Sequence, residues 1–571
     1  MRILQLDVNS VEYELIKPEA KVYEQSDEKQ VDVKNALLLL TSIERGDDSH
    51  VAEQAIKAAV EFAKKQKIET IVIYPFAHMS SNLEAPAKAL EVLNEMRSIA
   101  EKQGAKVVSS PFGWNKKLKI DIKGHPLAEM SRTYGASAQF KAAPAQESKP
   151  KPVKADLSIV RKSNWSGLPI NDHRTIGEQL DLYSFQEVSP SMVYWHPNGY
   201  TVYKELMSFI RQKESEYGYR EVSTPVVANT ALWHVSGHIL HYYENMFVFS
   251  ENSEELGLKP MSCPSTILIY KSKSWSYKEL PFRTAIFDKL YRKENSGSLT
   301  GLFRVQELTQ DDGHIFLSEG QIEGEIGNLL KMVKEVYETF EMKFVAYLST
   351  MPESHMGDEK LWERATIALK GALEKNGINY RIKDKEGAFY GPKIDFDVLD
   401  AHGRSWQCAT IQVDYQQPLR FGIEYTGEDG KQQTPVLVHR AILGSLERFI
   451  AILVEHYQGK FPAWLAPTQV RVASISDQTN GYAEDVYKKL AKGGIRVELD
   501  SSSRTIEYKI RDSQMMKVPY TIVVGKKEVD AGTVAVRSRS GKQKFGVSLE
   551  DFINSLNNEI KSRSNTGTII S

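Results

Sequence analysis

Cys263, His314 and His439 are the residues whose types promise chemistry. Each sits in its own short block: Lys259-Pro260-Met261-Ser262-Cys263-Pro264, Thr309-Gln310-Asp311-Asp312-Gly313-His314-Ile315-Phe316, and the run from Val438 to Arg448 that contains His439-Arg440-Ala441-Ile442-Leu443-Gly444. One thiolate and two imidazoles without an obvious fourth protein ligand form the donor set of a zinc site that a substrate completes. Lone Cys and His are ordinarily packing residues, and the chain has thirteen His and two Cys, so spacing alone does not define the site. A second constellation lies between the first two blocks. Tyr291-Arg292-Lys293-Glu294 closes an apolar stretch, Thr284 to Leu290, that reads as a strand. It precedes the turn Ser296-Gly297-Ser298-Leu299-Thr300-Gly301 and then Leu302-Phe303-Arg304. A guanidinium at the end of a rigid strand can grip a phosphate bidentately, and a carboxylate two residues on shares its face.

Residues so far apart need a large scaffold. The segment 166–460 has the pattern of an antiparallel sheet flanked by helices. Ile394, Phe396 and Val398 alternate with Asp395 and Asp397, which predicts a half-buried strand. Ser318 and Gln321 form a capping-box pattern opening a helix through Phe340. Pro435 to His439 reads as a strand that turns at Gly444 into a helix burying Leu446, Phe449, Ile450 and Leu453, which brings Arg448 near the sheet. Before this segment, Ala36 to Leu40 and Ile68 to Tyr74 read as buried strands, and Val51, Ala55, Ala59, Phe62 and Ala63 line one helix face. After it, strand and helix alternate from Val470 to Val524, as in a compact α/β domain with a partly parallel sheet. The expected organisation is a domain at 1–135, an Ala-, Pro-, Lys- and Ser-rich linker at 136–165, a central domain at 166–465 and a last domain at 466–571.

Composition bounds the function without naming it. The 571 residues carry 73 basic and 74 acidic side chains, a net charge of -1, so any nucleic-acid contact must come from local patches. Residues 501–571 supply one, with twelve Lys and Arg against seven Asp and Glu. No run approaches eighteen apolar residues, and the first residues lack a secretory pattern; a cytoplasmic protein with no membrane partner is expected. Cys263 and Cys408 lie in different blocks, and a disulfide between them would compete with the metal role.

The blocks around Cys263, Arg292, His314 and His439, with Asp172-His173-Arg174 and Met192 to Gly199, resemble the catalytic domain of threonyl-tRNA synthetases, a family of class II aminoacyl-tRNA synthetases. The resemblance implies that Arg292 holds the α-phosphate of ATP, that Glu294 faces the adenine, that Arg448 holds the γ-phosphate and that Arg304 lies by the nucleotide. It implies a substrate pocket and acceptor-end region containing Gln310, Asp312, Tyr390, Lys393, Gln407, Thr410 and Gln412. It also implies one Zn²⁺ per subunit on Cys263, His314 and His439, and Mg²⁺ with ATP. Threonine differs from valine by exchanging a methyl for a hydroxyl, an isostere that an apolar pocket rejects poorly. A zinc ion binding amino group and hydroxyl together leaves valine one bond short, and Asp312 could accept the hydroxyl hydrogen bond. Serine keeps both groups and should slip through.

That leak gives the first domain a purpose. Tyr74 to Ser81, Pro111 to Lys116 and Lys123 to Glu129 resemble the archaeal-type editing domain, similar in fold to D-aminoacyl-tRNA deacylases. The resemblance suggests His78, Lys116 and Glu129 as pocket residues for hydrolysing mischarged seryl-tRNA. Ile506 to Arg511, Val518-Pro519-Tyr520 and Thr533 to Arg537 resemble the family's anticodon-binding module, with Glu528 and Arg537 at base-reading positions. The implied fold class is multidomain α/β and α+β, and the implied partners are tRNA(Thr), ATP and L-threonine, with no DNA. Tyr203 to Tyr217 as a helix and Arg220 to Val227 as an extended segment resemble the motif that builds the class II homodimer, although internal packing would explain them equally. Four positions depart from the family pattern: Ser265-Thr266 replace Gly-His, Leu308 replaces an adenine-stacking Phe, Asn115 replaces Tyr and Ser503 replaces Asn. The alternatives are a non-catalytic paralogue that binds tRNA or senses amino acid, and a deacylase whose other domains only hold RNA. Prolyl or seryl specificity is the nearest ligase neighbour.

Overall fold

The computed structural model describes residues 1–20, 22–80, 82–125, 127–135, 163–252, 254–400, 403–567 and 569–570, excepting the side chains of His78 and Ser296. Positions 136–162 of the expected linker lie outside the described residues. Contacts divide the chain into two units, Met1–Ala155 and Asp156–Ser571. The segments expected as central and last domains therefore share one unit.

The first unit runs β1 (Arg2–Pro18), β2 (Gln30–Ser42), α1 (Ser49–Gln66), β3 (Thr70–Pro75), α2 (Pro86–Lys102), β4 (Lys106–Ser109), β5 (Trp114–Ile122) and β6 (Glu129–Thr133). The sheet order is β4-β3-β2-β1-β5, with β6 beside the first half of β1. Alternate residues of β2 and β3 feed opposite cores. Leu37, Leu39, Ile71 and Ile73 pack under the two helices, whose Val51, Ala55, Ala59, Phe62 and Ala63 are buried as expected. Leu38, Leu40, Val72 and Tyr74 meet Leu6, Val11, Tyr13 and Leu15 on the other face. Register places Tyr74 level with Leu40 and hence with Leu4, yet its ring centroid is 5.9 Å from that of Tyr13. The sheet must curl strongly to bring the far half of β1 back over β3, which encloses a cavity.

The second unit is built on a nine-stranded sheet among the described residues. Its order is Tyr380–Lys383, Phe344–Ser349, Lys393–Leu399, Ser405–Asp414, Val436–Ser445, Glu307–Leu317, Phe282–Ile286 and Arg220–Glu221, with Lys289–Tyr291 beside Glu307–Leu317. The interior pairings are antiparallel and only the two end pairs are parallel. The helix Ile322–Thr339 follows the expected capping box, in which Ser318 N–H donates to Gln321 Oε1 at 3.0 Å. The helix Leu446–His456 buries Leu446, Phe449, Ile450 and Leu453.

Three expectations change. Thr284 to Leu290 is not one strand: pairing stops at Ile286 and resumes at Lys289, and between them Asp288 turns to accept hydrogen bonds from Thr224 N–H (2.7 Å) and Lys259 Nζ (2.5 Å). Arg220 to Val227 pairs only at Arg220–Glu221 before a separate strand begins at Val227. Lys393–Leu399 is buried on both faces, because Asp395 and Asp397 are paired inside the protein rather than exposed to water.

The chain's last part is a five-stranded sheet ordered Val497–Asp500, Val470–Ser474, Tyr520–Val524, Val534–Ser538 and Gln543–Val547, parallel across the first three strands. It is welded to the central sheet's helices. Arg496 reaches Glu205 at 2.8 Å, Arg563 lies 4.6 Å from the Phe209 ring, and Asn565 Nδ2 donates to the carbonyl of Thr339 at 2.7 Å. Among the described residues, no helix is long and apolar enough to cross a membrane.

Candidate active site and metal centre

Residues two apart on a strand share a face, so Leu308, Gln310, Asp312 and His314 form a row along Glu307–Leu317. Pairing extends the row into rungs. His314 lies opposite His439, His439 opposite Gln412, and Gln412 opposite Lys393. One step along, Asp312, Ala441, Thr410 and Asp395 form the next rung. The sheet thus brings residues separated by more than a hundred positions to one surface.

At one end of that surface stands the metal triad. Cys263 is the first residue of the helix Cys263–Lys271, and one ligand atom from each of Cys263, His314 and His439 lies within 4.8 Å of the others. All three are buried. Buried His314 Nδ1 has no hydrogen-bond partner among the described residues, whereas His439 Nε2 lies 3.0 Å from Asp414 Oδ2. One thiol and two imidazoles, buried and with their donor atoms converging, fit a divalent cation of the zinc type. Burial drives the Cys263 thiol well up and the His314 imidazolium well down, so the imidazole is held neutral, in the form a metal takes. Around the triad, the Tyr390 ring packs 5.1 Å from His439 and its hydroxyl donates to Gln412 Oε1 at 2.5 Å. Burial pushes the Asp312 carboxyl up to about 6, against the pull of His439, Arg440, Arg292 and Lys259.

Toward the other end the rungs open into a cavity of about 200 Å³ lined by Arg292, Glu294, Phe303, Arg304, Leu308, Gln310, Gln407, Thr410 and Arg448. Three guanidinium groups therefore converge on one space, as a polyphosphate requires. Arg292 is steadied by the Pro260 carbonyl at 3.2 Å, and Arg448 by the carbonyls of Phe303 (2.9 Å) and Gln407 (3.2 Å). Glu294 accepts from Arg304 Nε at 3.0 Å and Nη2 at 2.8 Å, so the two side chains act as a pair. Leu308 lines the cavity without a flat face, but Phe303 borders it and stacks on Trp406 with centroids 3.9 Å apart. Lys393 does not line this space and pairs with Asp395 at 2.9 Å.

Sequence reasoning passed over Asp395, Asp311 and Asp414. Asp395 accepts from Ser349 Oγ (2.8 Å), Gln407 Nε2 (2.6 Å) and Thr410 Oγ1 (3.2 Å), anchoring two expected pocket residues. Asp311 accepts from the backbone N–H groups of Ile442 (2.7 Å), Leu443 (3.0 Å) and Gly444 (3.0 Å), and its backbone carbonyl accepts from Arg440 at 2.6 Å. It clamps the turn that leads to Arg448. The second carboxylate–histidine cluster, Asp172, His173 and Glu455, is structural: the His173 ring is held by Glu455 at 2.8 Å and by Leu302 N–H at 3.2 Å.

In the first unit a cavity of about 470 Å³ is lined by Thr41, Tyr74, Phe76, Trp114, Asn115 and Lys116, among others. Lys116 Nζ sits 4.5 Å from the Tyr74 ring centroid, and burial lowers its pKa to about 8. The side chain of His78 lies outside the described residues. Glu129, opposite Leu6, is exposed on the sheet face that carries Lys116 and is not among the residues lining the cavity. Glu528 Oε2 accepts from Gly525 N–H at 3.0 Å at the start of its own helix, and Arg537 lies opposite Thr521 and Gln543 with its Nε buried and unpartnered among the described residues.

An antiparallel sheet carrying an arginine-lined cavity, with its last strand turning into the helix of Arg448, is the frame of a class II aminoacyl-tRNA synthetase core. Residues 243–457 match the class II core domain model for the G, H, P, S and T enzymes, residues 1–134 match the archaea-specific editing domain of threonyl-tRNA synthetase, and residues 469–559 match the anticodon binding domain. A crystal structure of the RNA binding domain of threonyl-tRNA synthetase from Cryptosporidium parvum Iowa II is 41% identical, covering 70% of this chain and 100% of that one at a TM-score of 0.67. Threonine–tRNA ligases of Thermotoga sp. (strain RQ2) and Petrotoga mobilis are 48% and 50% identical over 393 residues, 69% of this chain and 61% of theirs. The chain belongs to the threonyl-tRNA synthetase family. The alignments span about 61% of the length of these curated relatives.

Proposed function

We propose that the chain is a threonine–tRNA ligase that proofreads its product. The observation that carries this reading is the single sheet surface joining the Cys263–His314–His439 triad to the arginine-lined cavity through Asp312 and Gln310. Arg292 and Arg448 neutralise the phosphates of ATP while the threonine carboxylate attacks the α-phosphorus in line and displaces pyrophosphate. Such a reaction needs positioning and charge compensation more than a side-chain base. Zn²⁺ on the triad would act as the Lewis acid that recognises the amino and hydroxyl groups of threonine. Asp312 accepts the hydroxyl proton's hydrogen bond, and Tyr390 and Gln412 close the side of the pocket. Mg²⁺ enters on the ATP phosphates as part of the substrate. Gln407, Thr410 and Lys393, all tied to Asp395, shape the edge that receives the tRNA(Thr) acceptor end, and Glu528 and Arg537 read its anticodon.

The first unit would hydrolyse seryl-tRNA in the Lys116 cavity, with His78 as a further pocket residue, Glu129 on the same sheet face outside the cavity, and the tRNA's terminal hydroxyl assisting the water. Homodimerisation belongs to the same proposal, and the exposed edge strand Arg220–Glu221 supports it. The deciding experiment is amino-acid-dependent ATP–pyrophosphate exchange. Exchange with threonine, weaker with serine and negligible with valine, is expected; indiscriminate exchange, or none from folded protein, sinks the ligase assignment.

A further inference from the structure

Behind the metal triad stands a carboxylate that neither the family blocks nor the substrate pocket accounts for. Asp414 ends the strand Ser405–Asp414 and is fully buried. Its Oδ2 lies 3.0 Å from His439 Nε2, while its Oδ1 accepts from the backbone N–H groups of Gln416 (2.7 Å) and Gln417 (3.0 Å). Gln417 is buried as well, and its Nε2 donates to Cys263 Sγ at 3.8 Å. We propose that Asp414 is a bracket for the metal centre: one oxygen orients the His439 imidazole, and the other, through two backbone hydrogen bonds, sets the amide of Gln417 against the Cys263 sulfur. This rests on the metal reading of the triad.

The chemistry follows from what each contact does. A carboxylate on Nε2 fixes the imidazole tautomer with that proton, which leaves Nδ1 as the donor and raises its basicity. An amide N–H on sulfur would stabilise the thiolate form that a bound cation requires. Both effects would be lost together if the turn Asp414–Gln417 relaxed, because a single side chain holds both ends. Sequence spacing hides this, since Asp414 and Gln417 are 151 and 154 positions from Cys263.

The test is metal affinity, measured on the full-length chain by competition for Zn²⁺ with a chromophoric chelator. Asp414→Asn keeps the shape but presents an amide to Nε2, and about a 10–100-fold loss of Zn²⁺ affinity is expected. Gln417→Leu, which leaves His439 untouched, should weaken binding in the same direction by a smaller factor and speed metal release. Wild-type affinity and release rate in both variants would overturn the bracket while leaving the metal centre intact. A wild-type chain that binds no Zn²⁺ would overturn both the bracket and the metal reading beneath it. Should Asp414→Asn fail to fold, Gln417→Leu decides alone: unchanged affinity there removes the sulfur arm, and with it the proposal.

Discussion

Burying the ammonium of Lys116 has a thermodynamic signature. The folded chain releases that proton near pH 8, the unfolded chain near 10.5, because burial outweighs the attraction of Glu24. Between those values the unfolded state holds more protons, so folding stability rises with pH there; below 8 the penalty for the charged form is at its full size. Lys116→Met should therefore stabilise the first unit most below pH 8, with the gap to wild type closing between pH 8 and 10.5 in denaturant titrations. The same substitution should leave threonine-dependent exchange intact and let seryl-tRNA accumulate. Equal accumulation in variant and wild type would count against the editing role. A lysine poised near neutrality in a cavity of this size is available as a proton donor or acceptor, which a surface lysine is not.

Strands and turns decide which residues meet. The apolar periodicity of Leu446, Phe449, Ile450 and Leu453 and the Ser318–Gln321 cap were readable because helices and caps are local. The triad was readable only through the family blocks around it, since thirteen His and two Cys leave donor type and spacing undecided. Asp395 was not: alternation with Ile394 and Phe396 has the same appearance whether the polar face meets water or meets Ser349, Gln407 and Thr410, and those partners lie 12 to 46 positions away. Asp311 was hidden for the same reason, its partners standing 131 to 133 residues downstream. The turn it clamps yields a prediction. Gly444 has φ +76, and a Cβ there would meet the Cys408 carbonyl oxygen at 2.7 Å. Gly444→Ala should cost about 1–3 kcal/mol in urea denaturation. By displacing Arg448, four residues on, it should also raise the KM for ATP several-fold with a smaller effect on the KM for threonine. Equal changes in both would place the damage elsewhere.

At the scale of the whole molecule, the two units own separate cores. Leu37, Ile71 and Met96 belong to one, and Phe209, Phe449 and Trp464 to another. Calorimetry should resolve two transitions rather than one. On the proposed zinc reading, a chelator should lower only the transition of Asp156–Ser571, because a ligand stabilises only the body that binds it. A single transition, or a shift in both, would show that the units are energetically coupled.

The weld at Arg496, Arg563 and Asn565 bears on how such a chain can be assembled from parts. A cassette with its own core is a natural unit of gene fusion, and Leu37, Ile71 and Met96 give the first unit such a core. The carboxy-terminal module also has a core, of Val472, Ile522 and Leu556 among others, but replacing it means rebuilding the seam with Phe209, Glu205 and Thr339 residue by residue. Hybrids that swap the tail without its seam residues should therefore be rare.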